Sequence, residues 1–179
     1  MSILKVSRMG HPVLRQRTAL IQPDDISMAS MQRLIDDMFD TMNEYAGIGL
    51  AAPQVHQELR LFVAGVDDQN STMQPVVMIN PEIEVIGEET EEDWEGCLSI
   101  PDIRGKVLRA KDIRVRSLDR HGKLQQLTAN GFPARVIQHE TDHLNGILFV
   151  DRMTSFESLT FLEEYGRYWD SDSVSDSDG

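Results

Sequence analysis

The feature that most restricts how this chain can fold is Gln138-His139-Glu140-Thr141-Asp142-His143, which sets two imidazoles and a carboxylate on a single turn and a half of helix. Residues four apart share a helix face, so His139 and His143 point the same way with Glu140 beside them. The helix is readable without the histidines. Pro133 suits a first turn, Val136, Ile137 and Leu144 give an apolar side, and Gly146 ends it. Burying such a helix would leave three polar groups unpaired at considerable cost. One metal ion resolves the conflict, with His139 and His143 as ligands and Glu140 placed to take a proton from a coordinated water. The pattern reads as a metallohydrolase.

The 179 residues fit one domain, long enough to bury roughly two-thirds of the unfolded surface. A single catalytic domain is expected over residues 1–168, with residues 169–179 as an acidic, disordered tail. The net charge of −13 argues against binding a phosphate backbone, so no nucleic-acid partner is expected. Eight acids between Glu82 and Glu95 read as solvated surface. No apolar run approaches the ~18 residues of a membrane span, and the N-terminus resembles neither a secretory signal nor a transit peptide. A cytoplasmic location without membrane association is the expectation.

Along the chain, residues 1–22 read as an arm with a helical turn near Pro12-Val13-Leu14. Asp24 or Asp25 is a candidate N-cap for an amphipathic helix carrying Met31, Leu34, Ile35, Met38, Phe39 and Met42, which ends before Gly47. Met28, Met31, Met38 and Met42 read as core filler. Runs at Leu59–Val66, Pro75–Asn80, Glu82–Ile86, Arg104–Leu108, Ile113–Leu118 and Lys123–Ala129 read as strands. No helical crossovers separate them, so the sheets should be antiparallel. A last helix is expected over Ser155–Tyr168. The fold class is α+β: antiparallel sheets packed around a central helix bearing HExxH, with an N-terminal amphipathic helix and a C-terminal helix.

A catalytic metal wants three protein ligands and one open position. No histidine follows His143 closely, so the third ligand comes from elsewhere. Cys97, the chain's only cysteine, lies in Glu95-Gly96-Cys97-Leu98-Ser99 and is the better candidate; Glu157 is its competitor. A thiolate with two imidazoles suits Fe(II), Zn(II), Ni(II) or Co(II). The small-residue run Gly47-Ile48-Gly49-Leu50-Ala51-Ala52-Pro53-Gln54 allows backbone to approach a ligand closely and ends in an amide donor. Read on residues alone, a zincin-like metallopeptidase using Glu157 and a binding module with a structural metal stay open beside the Cys97 site.

In order, GIGLAAPQ, EGCLS and QHETDHLNG resemble the three signature motifs of the peptide deformylases, and the likeness extends over about residues 1–165. The resemblance implies a hydrolase that removes the formyl group from N-terminal formyl-methionine of nascent polypeptides and releases formate. It implies Cys97, His139 and His143 as ligands of one ion, with Fe(II) the native metal and Zn(II), Ni(II) or Co(II) as replacements. Glu140 would be the general acid/base. The Gln54 side chain and the Leu98 backbone N–H would face the formyl oxygen, and Gly49 would line the substrate cleft. Transient proximity to the ribosome is a further expectation. The acidic C-terminus, with Glu163 and Glu164, lacks the basic docking helix of some family members.

Overall fold

The computed structural model describes residues 2–65 and 73–170. Four helices and eight strands are formed among the described residues. A short α1 (Pro23–Ile26) precedes α2 (Ala29–Glu44); then come β1 (Gly49–Ala51), β2 (Leu61–Ala64), β3 (Val76–Val85), β4 (Thr90–Cys97), β5 (Ile100–Ala110), β6 (Asp112–Leu118), β7 (Leu124–Asn130) and α3 (Phe132–Leu144). The described chain closes with β8 (Thr160–Phe161) and α4 (Leu162–Tyr168). Strands β1-β2-β3-β6-β7 form one antiparallel sheet and β4-β5-β8 a second.

The larger sheet is covered on both faces, and its second strand shows why. Every residue of β2, Leu61-Phe62-Val63-Ala64, is fully buried. Side chains alternate faces along a strand. Leu61 and Val63 pack with Met31, Ile35, Met38 and Met42 of α2. Phe62 and Ala64 pack instead with Ala134, Ile137 and Leu144 of α3. α3 is thereby enclosed along almost its whole length, from Ala134 to Leu144, with only Gln138 less than buried. Truncating one large side chain in such a layer, Phe62→Ala for example, costs about 3–5 kcal/mol.

A third cluster, Val13, Leu14, Ile100, Val107, Leu148 and Phe149, surrounds Cys97 and seats the smaller sheet against the rest. The N-terminal arm ties the pieces together. Ser7 N–H donates to Gln54 O at 2.7 Å and Met9 N–H to Ser99 O at 2.7 Å.

Several expectations are corrected. The first helix is broken in two, with Ser27 and Met28 between α1 and α2, and Met28 is exposed rather than core. The runs before and after Asn80 form one strand, β3, bent at Asn80 (φ 52°), whose side chain pairs with both backbone groups of Ile21. The acidic run holds an unforeseen strand, β4, and its last acid, Glu95, is buried. The segment Ser155–Tyr168 is not one helix. Thr160 and Phe161 are captured by the free edge of β5, where their backbone gains partners that a helix start cannot supply. Val66 and the tail from 171 onward lie outside the described residues.

Candidate active site

Three elements converge at one end of α3. The helix itself presents His139, Glu140 and His143, all buried. The β4–β5 hairpin brings Cys97: the register slips between Gly96 and Cys97, and Leu98-Ser99 turn the chain into β5. Such a bulge re-aims a side chain, and the Cys97 Sγ ends 3.3 Å from His143 Nε2. Ligand atoms of Cys97, His139 and His143 lie within 4.8 Å of one another, close enough to share one ion. Glu157, the competing ligand, is exposed in the turn before β8 and does not join this cluster.

The third element is the 3-10 turn Ala52–Val55 after β1, which holds Gln54 almost completely buried. Its Oε1 accepts from the Ala51 N–H at 2.8 Å, so its Nε2 is aimed at the hairpin, 3.2 Å from Ser99 Oγ and 3.5 Å from Cys97 Sγ. Just before the turn, Gly49 lies flat against Glu140. A Cβ there would overlap the Glu140 carboxylate. Glycine is required for contact, not for a special φ.

Behind the ligands is a buried ionic lattice that sequence reasoning missed. Glu95 Oε2 lies 2.8 Å from His139 Nδ1, which leaves Nε2 as the ring's ligand atom. Arg109 donates to both Glu95 oxygens at 2.8 and 3.0 Å, and Arg135 Nη1 adds a third bond at 2.9 Å. Arg109 also reaches Asp142, whose carboxylate takes Arg152 at 2.7 and 3.1 Å. Two signals for this lattice were present. Glu95 sits inside the unbroken EGCLS motif, and Asp142 lies three residues after His139 on the same helix face.

The charges fit a cation. Burial pushes the Cys97 thiol up, but the His143 and His139 rings outweigh it and hold the thiol well below its usual range. Burial disfavours a charged His139, yet Cys97 and Glu95 hold a proton on it well above the ordinary imidazole range. Glu95 is depressed far below the usual carboxylate range, because His139 and Arg109 overcome its burial. A bound cation would take the place of that imidazole proton, releasing it on binding. Burial also raises the Glu140 carboxyl to about 7, against the pull of the two rings. Its Oε2 and the His143 Nδ1 have no hydrogen-bond partner among the described residues.

The cluster opens on a cleft of about 770 Å³, whose inner end is lined by Gly49, Gln54, Cys97, Leu98, His139 and Glu140. His143 lies behind that surface, 1% exposed. The fold and donor set are those of an α+β hydrolase with a Cys-His-His metal centre. The polypeptide deformylase family model matches residues 3–158, and the chain belongs to the peptide deformylase family. It is 44% identical over 170 residues to peptide deformylase 2 of Nostoc sp., covering 91% of this chain and 93% of that one. Against peptide deformylase of Salinibacter ruber it is 45% identical over 163 residues, covering 86% and 82%. Among solved structures, a ligand-bound crystal structure of class I type b peptide deformylase from Acinetobacter baumannii superposes with a TM-score of 0.81 at 40% identity, covering 86% of this chain and 100% of that one. The Met-Ala-Ser complex of that enzyme gives 0.80 at 38% identity, covering 85% and 99%.

Proposed function

We propose that Cys97, His139 and His143 hold the metal with which this peptide deformylase removes formyl from N-terminal formyl-methionine. The observation that carries the assignment is the meeting of three buried ligand atoms within 4.8 Å, beside a carboxylate with an unpartnered oxygen. Fe(II) is the native ion in this reading, Zn(II), Ni(II) or Co(II) being replacements. When bound, the ion supplies Lewis-acid chemistry, lowering the pKa of a water toward about 7 and polarising the formyl carbonyl.

The chain's own residues do the rest. Glu140 takes the water proton and later returns it to the departing amine, a double duty suited to a carboxyl held near neutrality. Negative charge then gathers on the formyl oxygen. The Gln54 Nε2 and the Leu98 N–H donate to that oxygen, each such donor being worth about 10²–10³ in rate. Gln54 is ready for this, because its Oε1 is already fixed by Ala51. Gly49 lets the cleft wall close on Glu140. Ile48, Leu98 and Val136 line the cleft with apolar surface for the methionine side chain.

In this reading the substrates are formylated nascent chains, met in the cytoplasm in transient proximity to the ribosome. No helix among the described residues is long and apolar enough to cross a membrane. The test is formate release from a short formyl-methionyl peptide, with and without chelator. Release that chelator abolishes is expected. Release that survives complete metal removal would refute the metal assignment.

A further inference from the structure

Cations gather around the cleft of a chain whose net charge is −13. Lys5, Arg8 and Arg104 all line it, and none of the three joins an ion pair among the described residues. Arg8 is exposed, yet its place is fixed, because the N–H groups of Ser7 and Met9 on either side donate to Gln54 O and Ser99 O. Arg104 lies across Gly96, where a Cβ would meet its guanidinium, one residue from Cys97. The acids in the lining do not cancel these charges. Glu95 is bound to Arg109 and Arg135, Glu140 is buried at the inner end, and of the three only Asp102 is exposed.

The counter-charge is in the chain itself. Residues 171–179, Ser-Asp-Ser-Val-Ser-Asp-Ser-Asp-Gly, carry three aspartates and no basic residue. They follow directly on α4, which is docked at the outer end of the same cleft. The Tyr165 and Trp169 rings lie 5.0 and 5.8 Å from the indole of Trp94, which lines the cleft, and Asp170 N–H donates to Tyr165 O at 3.1 Å. Trp94 precedes Cys97 by three strand residues, roughly 10 Å, and Ser99, the anchor of Met9, is two residues further. Nine extended residues span up to about 30 Å, so the aspartates can reach Arg104 and Arg8. A tether of that length holds them at an effective concentration of order millimolar. A free polyanion has no tether and meets the repulsion of the whole acidic chain, which favours the chain's own tail as the occupant.

Resting on the deformylase reading above, we propose that the acidic segment 171–179 folds back over the cleft onto Lys5, Arg8 and Arg104 and competes there with incoming substrate. The cover is electrostatic, since Val174 is its one apolar side chain. Exposed ion pairs are individually weak and are screened by salt, so a formylated chain displaces the tail rather than being shut out. The tail then weakens substrate binding and leaves turnover of the bound substrate unchanged.

The test neutralises the tail in the full chain, as Asp172→Asn/Asp176→Asn/Asp178→Asn, and uses the uncharged substrate formyl-Met-Ala-Ser amide. At about 20 mM salt the variant should show a KM roughly three- to fivefold below that of the wild type with kcat unchanged, the worth of a few exposed ion pairs. Near 0.5 M salt, where charges are screened beyond about 4 Å, the two KM values should coincide. In a Lys5→Gln/Arg8→Gln background the tail substitutions should change KM by less than about 1.5-fold, the non-additivity of groups that touch. A second readout is independent of activity: in the zinc-loaded protein, the backbone amide NMR signals of Lys5, Arg8 and Arg104 should move at low salt when the tail is neutralised. Equal KM values at low salt overturn the inference, as do unmoved amide signals or a tail effect that persists in full without Lys5 and Arg8. No formate from any of these proteins overturns the deformylase reading, and the amide signals then decide by themselves whether the tail lies on the cleft.

Discussion

At the residue scale, Glu140 and Gly49 form one device. The carboxylate is buried, one oxygen lacks a partner among the described residues, and the glycine opposite leaves no space for a methyl group. Glu140→Ala is expected to keep its metal while losing about 10²–10⁴ of kcat, the usual worth of a general acid/base. Metal analysis with kinetics on one preparation checks this; near-normal turnover would remove Glu140 from proton transfer. Gly49→Ala attacks the same carboxylate from outside. It should cost about 10²-fold in kcat with metal content unchanged, as a displacement of order 1 Å does elsewhere. A fully active Gly49→Ala enzyme would mean that Glu140 tolerates displacement. Both residues stood out in the sequence because each lies in a motif whose chemistry demands it. What sequence could not give was their contact, since 91 positions separate them.

At the element scale, legibility followed the hydrophobic pattern. α3 and β6 could be read because their apolar spacing is regular, and in β6 Ile113, Val115 and Ser117 alternate inward. β4 could not be read. Thr90, Glu91, Glu92 and Asp93 are exposed and acidic or polar, a composition that strands ordinarily avoid, and only Glu95 and Cys97 of the strand are buried. Its pairing with β5 makes it a strand regardless. The cost of missing β4 was missing Glu95, the anchor of His139. Glu95→Gln leaves Arg109 and Arg135 buried without their charge partner, which should cost about 3–5 kcal/mol. Calorimetry would then register a Tm lower by roughly 10 °C. The pH dependence has a definite sign. A carboxylate held below its unfolded value of about 4.3 stabilises the fold above that pH. The stabilisation is lost as pH falls toward the folded value. The wild-type Tm should therefore drop more steeply below pH 4 than that of Glu95→Gln. Parallel acid limbs would show that Glu95 carries little of the acid sensitivity.

At the scale of the whole molecule, the proposed metal ligands come from two different core clusters. Cys97 belongs to the cluster around the smaller sheet, whereas α3 packs on the larger one. The ties between them include the Glu95–Arg109–Asp142 lattice, the bonds of Arg135 and Gln138 to the backbone of β4 and β5, and whatever Cys97, His139 and His143 share. An ion there binds only the folded arrangement, since a thiol and two rings 42 and 46 positions away do not meet in an unfolded chain. Ligation should then stabilise by mass action, about 2.7 kcal/mol at a free metal concentration 100-fold above Kd. For a chain of this size that corresponds to a Tm shift of about 5–10 °C. Adding chelator to the metal-loaded protein should lower Tm by that amount, and Cys97→Ser should show no such shift because its site is already open. If chelator leaves the wild-type Tm in place, or if Cys97→Ser responds as the wild type does, then the thiol is not what joins the hairpin to the helix.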